Sequence, residues 1–243
     1  MMRTDPEKYF IEVHTDKDIG NFEFAGSLLN AWLHHHDAKL RPEYFGLGEP
    51  IRKSFKEHSV ADAVTQWNEA QIPLMLRRGS APAFTVNIKW RPNKGQDTRP
   101  YPWGSSIWLA LKAGDDRASE LFRFLIEWFD PAFGMLTTWS DLKNKHLTRQ
   151  ETRLGIEEKF VGLDVNRTVP GVYWQTYFGK ELLRHFPRIG ATKIDAAKAE
   201  TYRDGLLLCL FQSSGAIGSE SGREIERSVE AEIGSDIFFR KPT

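Results

Sequence analysis

Three consecutive histidines, His34, His35 and His36, are the first residues in this chain whose types could do chemistry, because imidazole nitrogen is the commonest metal ligand among side chains. Read as a continuation of the helical pattern that precedes them, they point about 100° apart and cannot converge on one ion. No HxxxH or HExxH partner accompanies them. They read instead as a solvated helix end favoured by the C-terminal dipole, and no metal is expected. His14, His58, His146 and His185 are scattered singly and read as surface or hydrogen-bonded histidines rather than bases.

A serine nucleophile would need GxSxG on a strand-to-helix elbow. The chain offers only GSS at Gly104 to Ser106 and SSG at Ser213 to Gly215, both read as loops. GSESG, Gly218 to Gly222, precedes a helical pattern and could hold an anion there, but a Ser or Gly cap before Arg223 is the plainer reading. GLGEP after Phe45 lacks the spacing and the lysine of a phosphate loop. The adjacent acids Asp115 and Asp116, and Glu157 and Glu158, diverge rather than share one acid–base site; as clustered charge they suit a contact surface for a basic partner. Trp103 sits in the polar stretch RPNKGQDTRPYPWG, where an aromatic flanked by arginine and aspartate has the composition of an interface hot spot. No cofactor is expected.

The elements that must position these residues follow from periodicity. Tyr9 to Val13 reads as a strand, and Phe22 to Leu33 as a helix with Phe24, Leu28, Leu29 and Trp32 on one face. Val60 to Ala70 reads as a short helix. Phe84 to Trp90, Ser106 to Leu111 and Gly134 to Trp139 read as strands, and Arg117 to Trp128 as a helix ended by Asp130-Pro131. In PGVYWQTYFGKELLRHF, Pro170 to Phe186, a Pro-Gly turn leads into an aromatic strand from Val172 to Phe178 and then a helix carrying Leu182, Leu183 and Phe186. A strand entered at Asp204-Gly205, a helix from Glu224 to Ile233 capped by Gly234, and a last strand in DIFFR complete the chain. This order predicts the α+β class, with a mixed or mostly antiparallel sheet and helices packed on it. One domain over residues 1–243 is expected; LLNAWLHHHDAKLRPEYFG and LFRFLIEWFDPAFG suggest two similar strand-helix units, 1–115 and 116–243.

Composition narrows the function. The 243 residues carry 33 basic and 33 acidic side chains, so no global field draws the protein to nucleic acid or an anionic membrane. The single cysteine, Cys209 in GLLLCLF, reads as a buried small hydrophobe. The first residues, MMRTDPEKYFIEVH, lack the apolar core of a secretory signal, and no apolar run reaches the ~18 residues of a membrane helix. A cytoplasmic location is expected.

PGVYWQTYFGKELLRHF resembles a motif found late in bacterial immunity proteins of polymorphic-toxin and type VI secretion systems, in particular the immunity protein 52 family. Its Pro-Gly, aromatic-Trp and Tyr/Phe-Phe-Gly arrangement is matched here by Pro170, Gly171, Tyr173, Trp174, Tyr177, Phe178 and Gly179. The order that follows, a strand near Leu206 to Phe211, a helix, Ile233-Gly234 and then Asp236 to Phe239, is also similar. The resemblance implies a cytoplasmic protein that binds and neutralises a cognate toxin encoded next door, often a predicted nuclease, with no catalysis of its own. No active-site residue carries over, because the motif is structural. Trp103, Asp115, Asp116, Glu157 and Glu158 are the toxin-contact candidates. The balanced charge departs from the acidic character that would block a basic nuclease. Two other readings stand beside it: a small-molecule enzyme whose site is assembled from Arg99, Tyr173 and His185, and a structural or adaptor component of a secretion system.

Overall fold

The computed structural model describes residues 7–15, 17, 19, 21–70, 72–89, 105–112, 117–152, 155–163, 168–195 and 197–241. They belong to two compact units, one of Ile11–Pro131 and one that joins the residues up to Phe10 to those from Ala132 onward. The fold is α+β, and every strand pairing described within either unit is antiparallel. Strand β1 (Lys8–Thr15) begins in one unit and ends in the other.

In the unit of Ile11–Pro131 the strand order is β6 (Ser105–Lys112), β5 (Phe84–Lys89), β4 (Leu74–Arg78), β2 (Tyr44–Gly46) and β3 (Lys53–Ser54). Alternation sets the buried face: Phe84, Val86 and Ile88 of β5 are buried and lie opposite Leu111, Leu109 and Ile107 of β6. Helix α1 (Phe22–Leu33) starts where the Asn21 side chain accepts from the backbone N–H of Glu23 and Phe24. Its buried stripe is Ala25, Leu28, Leu29 and Trp32, and the Trp32 indole N–H donates to Leu40 O at 2.9 Å. Helix α2 (Val60–Ala70) opens with a reciprocal cap, in which Asp62 accepts from the Ser59 N–H while Ser59 Oγ accepts from the Asp62 N–H. Helix α3 (Arg117–Phe129) buries Leu121, Phe122, Phe124, Leu125, Ile126 and Phe129. It stops at Asp130, which adopts φ 42°, ahead of Pro131.

The other unit carries the order β11 (Lys198–Tyr202), β12 (Gly205–Cys209), β10 (Gln175–Phe178) and β7 (Phe133–Thr138). All four residues of β10 are buried, and β7 and β12 flank it on both edges. Helix α4 (Trp139–His146) is capped by Thr138, whose hydroxyl accepts from the Asp141 N–H. It runs directly into β8 (Leu147–Thr152), which pairs only with β9 (Gly155–Phe160) to form a separate two-stranded sheet. Helices α5 (Lys180–His185) and α6 (Pro187–Ala191) meet at Phe186, where Pro187 takes the first position of a new helix. Helix α7 (Glu220–Ile233) is capped by Ser219 and closed by Gly234 at φ 115°.

Several expectations are corrected. The aromatic strand is β10 alone: Val172, Tyr173 and Trp174 are buried but irregular, held by the Thr176 hydroxyl, which accepts from the Tyr173 N–H at 2.8 Å. DIFFR forms a 3-10 turn over Ser235–Ile237 and one parallel bridge, Phe238 to Val169, instead of a strand. The strand expected to be entered at Asp204-Gly205 is β12, and the addition is β11 ahead of it, which the sequence reading left out and which joins β12 in a hairpin turning at Arg203 (φ 53°) and Asp204. Gly205 is fixed there by space, because a Cβ would lie 2.5 Å from Phe178 O. Cys209 is half-buried rather than buried, and its thiol donates to Phe211 O at 3.2 Å. Helix α7 starts four residues before Glu224, because Ser219 supplies the cap.

Candidate functional site

The motif Pro170 to Gly179 builds a floor, and the chemistry lies beside it. Tyr173, Tyr177 and Phe178 are fully buried, and Trp174 is buried with its indole N–H donating to Phe211 O at 3.1 Å. Pro170 and Gly171 reach a cleft of about 390 Å³, which also receives Lys145 and His146 from α4 and Glu226 from α7. His146 Nδ1 lies 2.8 Å from Val161 O, which can only accept, so this nitrogen carries the proton. In the neutral ring, Nε2 then accepts from the Tyr173 hydroxyl at 2.6 Å.

Lys145 organises the cleft. Its ammonium lies 3.0 Å from Asp141 Oδ2, 2.9 Å from Glu226 Oε1 and 3.0 Å from Val172 O, and 4.6 Å from the centre of the Tyr173 ring. The Glu226 contact is an ion pair without an aligned hydrogen bond. Asp141 accepts a further bond from the Thr137 hydroxyl at 2.7 Å. Two buried carboxylates thus share one cation, and burial pushes the Glu226 carboxyl above its ordinary range although Lys145 opposes the shift. On the rim, Arg240 pairs with Glu230 at 2.6 Å, whereas the exposed Arg223 and Arg227, one turn apart on α7, have no described acid within ion-pair distance. The Asp141–Lys145 pair is readable from its i, i+4 spacing; Glu226 is eighty-one positions further on, and nothing local announces it.

The arm formed by β8 and β9 is the second feature. Its base is pinned by the Phe160 and Trp139 rings, 5.5 Å apart, and by the Val161 N–H donating to His146 O at 3.0 Å. Beyond the base, Arg149 to Glu151 and Gly155 to Lys159 are exposed on both faces. Ile156 is 69% exposed, the largest value among the described exposed apolar side chains. The contact candidates Glu157 and Glu158 both lie here, and Glu158 meets Arg149 across the ladder at 2.9 Å. Trp103, Asp115, Asp116 and Arg99 lie outside the described residues. Of the alternative enzyme set, Tyr173 is buried against His146 and His185 is exposed on α5.

In the unit of Ile11–Pro131 the histidine run departs from its helical reading. Helix α1 ends at Leu33, so His34 is the cap residue, with Nδ1 2.8 Å from Asn30 O, and His35 and His36 lie beyond the helix. Helical spacing therefore does not hold their side chains about 100° apart. Their rings stack 4.4 Å apart at 29°, and their Nε2 atoms lie 3.8 and 2.8 Å from Glu120 Oε1 on α3. His35 is buried, and this desolvation, reinforced by His36, lowers its pKa. Near the other run of small residues, Ser219 accepts from the Gly222 N–H at 3.0 Å, so GSESG caps α7 as expected.

No helix among the described residues is long and apolar enough to cross a membrane. No protein-family model matches the chain, and no curated protein matches it. Among solved structures the chain is similar to one titled Pseudomonas aeruginosa T6SS protein PA0821, at 11% identity and a TM-score of 0.49, over 98% of this chain and 76% of that one.

Proposed function

We propose that this protein is an immunity protein that binds a cognate bacterial toxin and neutralises it by occlusion, without catalysis of its own. The observation that carries the reading is the β8–β9 arm, a two-stranded projection anchored only at its base, exposed on both faces and tipped toward partner contact by Ile156. Two strands standing alone are marginal in water, and an exposed ladder is a ready template for another chain. Such an arm gains most of its contacts when a partner covers it. Glu157 and Glu158 beside Ile156 give this part of the arm a mixed apolar and acidic character, suited to a basic patch on the toxin. The resemblance of Pro170 to Gly179 to the immunity protein 52 motif supports the same reading, with those residues acting as scaffold. The toxin would be encoded beside this gene and belong to a polymorphic-toxin or type VI secretion system.

The test is co-expression of the full chain with the product of the neighbouring gene, read by co-purification and by rescue of growth. Wild type is expected to form a stable complex and restore growth. Ile156→Asp combined with Glu157→Lys should lose both while its circular dichroism and melting temperature match wild type. Rescue that persists in that variant would remove the arm as the contact surface, and absence of any complex with wild type would remove the immunity reading.

A further inference from the structure

We propose that His35, His36 and Glu120 form a binding site for a divalent transition-metal ion of the zinc and cobalt type. The site is distinct from the arm and the cleft, and it does not depend on the toxin reading. Imidazole and carboxylate are the donor set these ions accept. The three ligand atoms lie within 4.8 Å of one another. The two distances to Glu120 Oε1, 2.8 and 3.8 Å, bracket the roughly 3.3 Å that separates ligands held tetrahedrally at metal bonds of about 2.0–2.1 Å.

The form of these contacts points to a cation. Glu120 Oε1 is buried and makes no aligned hydrogen bond, although His36 Nε2 lies 2.8 Å away. An N–H aimed at that oxygen would have satisfied it; the close approach of His36 Nε2 and Glu120 Oε1 without alignment suits two lone pairs that share a third point. An ion there would satisfy Glu120 Oε1 and His36 Nε2 together, with His35 Nε2 as the third ligand in exchange for its ring's bond from the Asp37 N–H. Asp37 is not a fourth ligand, because its carboxylate accepts from Arg117 Nε at 2.8 Å and from the Lys39 N–H at 2.8 Å. A site of three protein ligands with a position left for water follows, on the side where His36 is 80% exposed. Coordination through His35 Nε2 places the remaining ring proton on Nδ1 and opens the 3.2 Å contact with the Asp37 N–H, so the affinity is modest. What the ion would do is tie the residues after α1 to the first turn of α3.

The test uses the full chain without a histidine tag. Zinc chloride titrated calorimetrically should bind at one equivalent, and cobalt chloride should give visible absorption bands of a low-coordinate site. His36→Ala, at an exposed position, and Glu120→Gln, which keeps the side-chain shape, should each weaken binding by at least about tenfold, the lower end of what even outer-shell changes cost at metal sites. His34→Ala, next in sequence but turned onto Asn30 O, should leave it unchanged. Zinc should raise the melting temperature of wild type and not of the two ligand variants, each first shown folded by circular dichroism. No binding by wild type, or equal binding by wild type, His36→Ala and Glu120→Gln, would overturn the proposal.

Discussion

Lys145 concentrates the energetics of its unit in one side chain. Removing it leaves Asp141 and Glu226, both buried, without their shared cation. Breaking a buried pair by deleting one partner costs about 3–5 kcal/mol, and Lys145→Met should lower stability by that order in urea unfolding. Tyr173→Phe is a finer probe: it keeps the ring and removes the bond to His146 Nε2, leaving a buried acceptor unpaired at a cost of about 1–3 kcal/mol. Glu226 makes a pH prediction. Its folded-state pKa is raised, chiefly by burial, so the folded protein holds this proton more tightly than the unfolded chain. Its contribution therefore falls as pH rises from its ordinary value of 4.5 through the folded value. Glu226→Gln removes that loss and leaves Lys145 paired one to one with Asp141, so the variant should gain on wild type as pH is raised above 4.5. A stability difference that is flat with pH would show that Lys145 already compensates the burial in full.

At the scale of elements, the helices were the most legible in the sequence, and for a local reason. α1, α2 and α3 each carry an apolar stripe at helical spacing between recognisable ends. The reciprocal cap of α2 gives a direct test, since Ser59→Ala removes its hydroxyl half, leaving the backbone N–H of residue 59 on Asp62, and should cost about 1 kcal/mol. In the first turn of α7 the tertiary context reverses propensity. Alanine favours a helix over glycine by about 1 kcal/mol, but a Cβ on Gly222 would lie 2.1 Å from Ala216 O. Gly222→Ala should therefore destabilise the protein, and a rise in melting temperature would show that the turn before α7 yields easily. The arm escaped the sequence reading because RQE and IEEK expose both faces and so carry no alternation. DIFFR misled in the opposite sense: it has the residue types of a strand, yet it finds a single bridge to Val169 and no ladder.

For the whole molecule, the α+β class followed from composition and order alone, because alternating strand and helix patterns must bury one face each and only a few layered solutions do so. The amino-acid sequence by itself also determined the balance of 33 positive and 33 negative charges, the three amphipathic helices, the cap within GSESG, and the structural nature of the Pro170 to Gly179 aromatics. These are properties of neighbours in the chain or of totals, and short-range geometry fixes them. The tertiary structure alone decided what meets across long separations. It set Glu226 beside Lys145 and Asp141, left Glu157 and Glu158 on a free arm rather than on a sheet face, and ended α1 at Leu33 so that His35 and His36 could turn together toward Glu120. Such meetings depend on where each chain segment stops and what it packs against, and that information is spread over the whole fold rather than held in any one stretch of it.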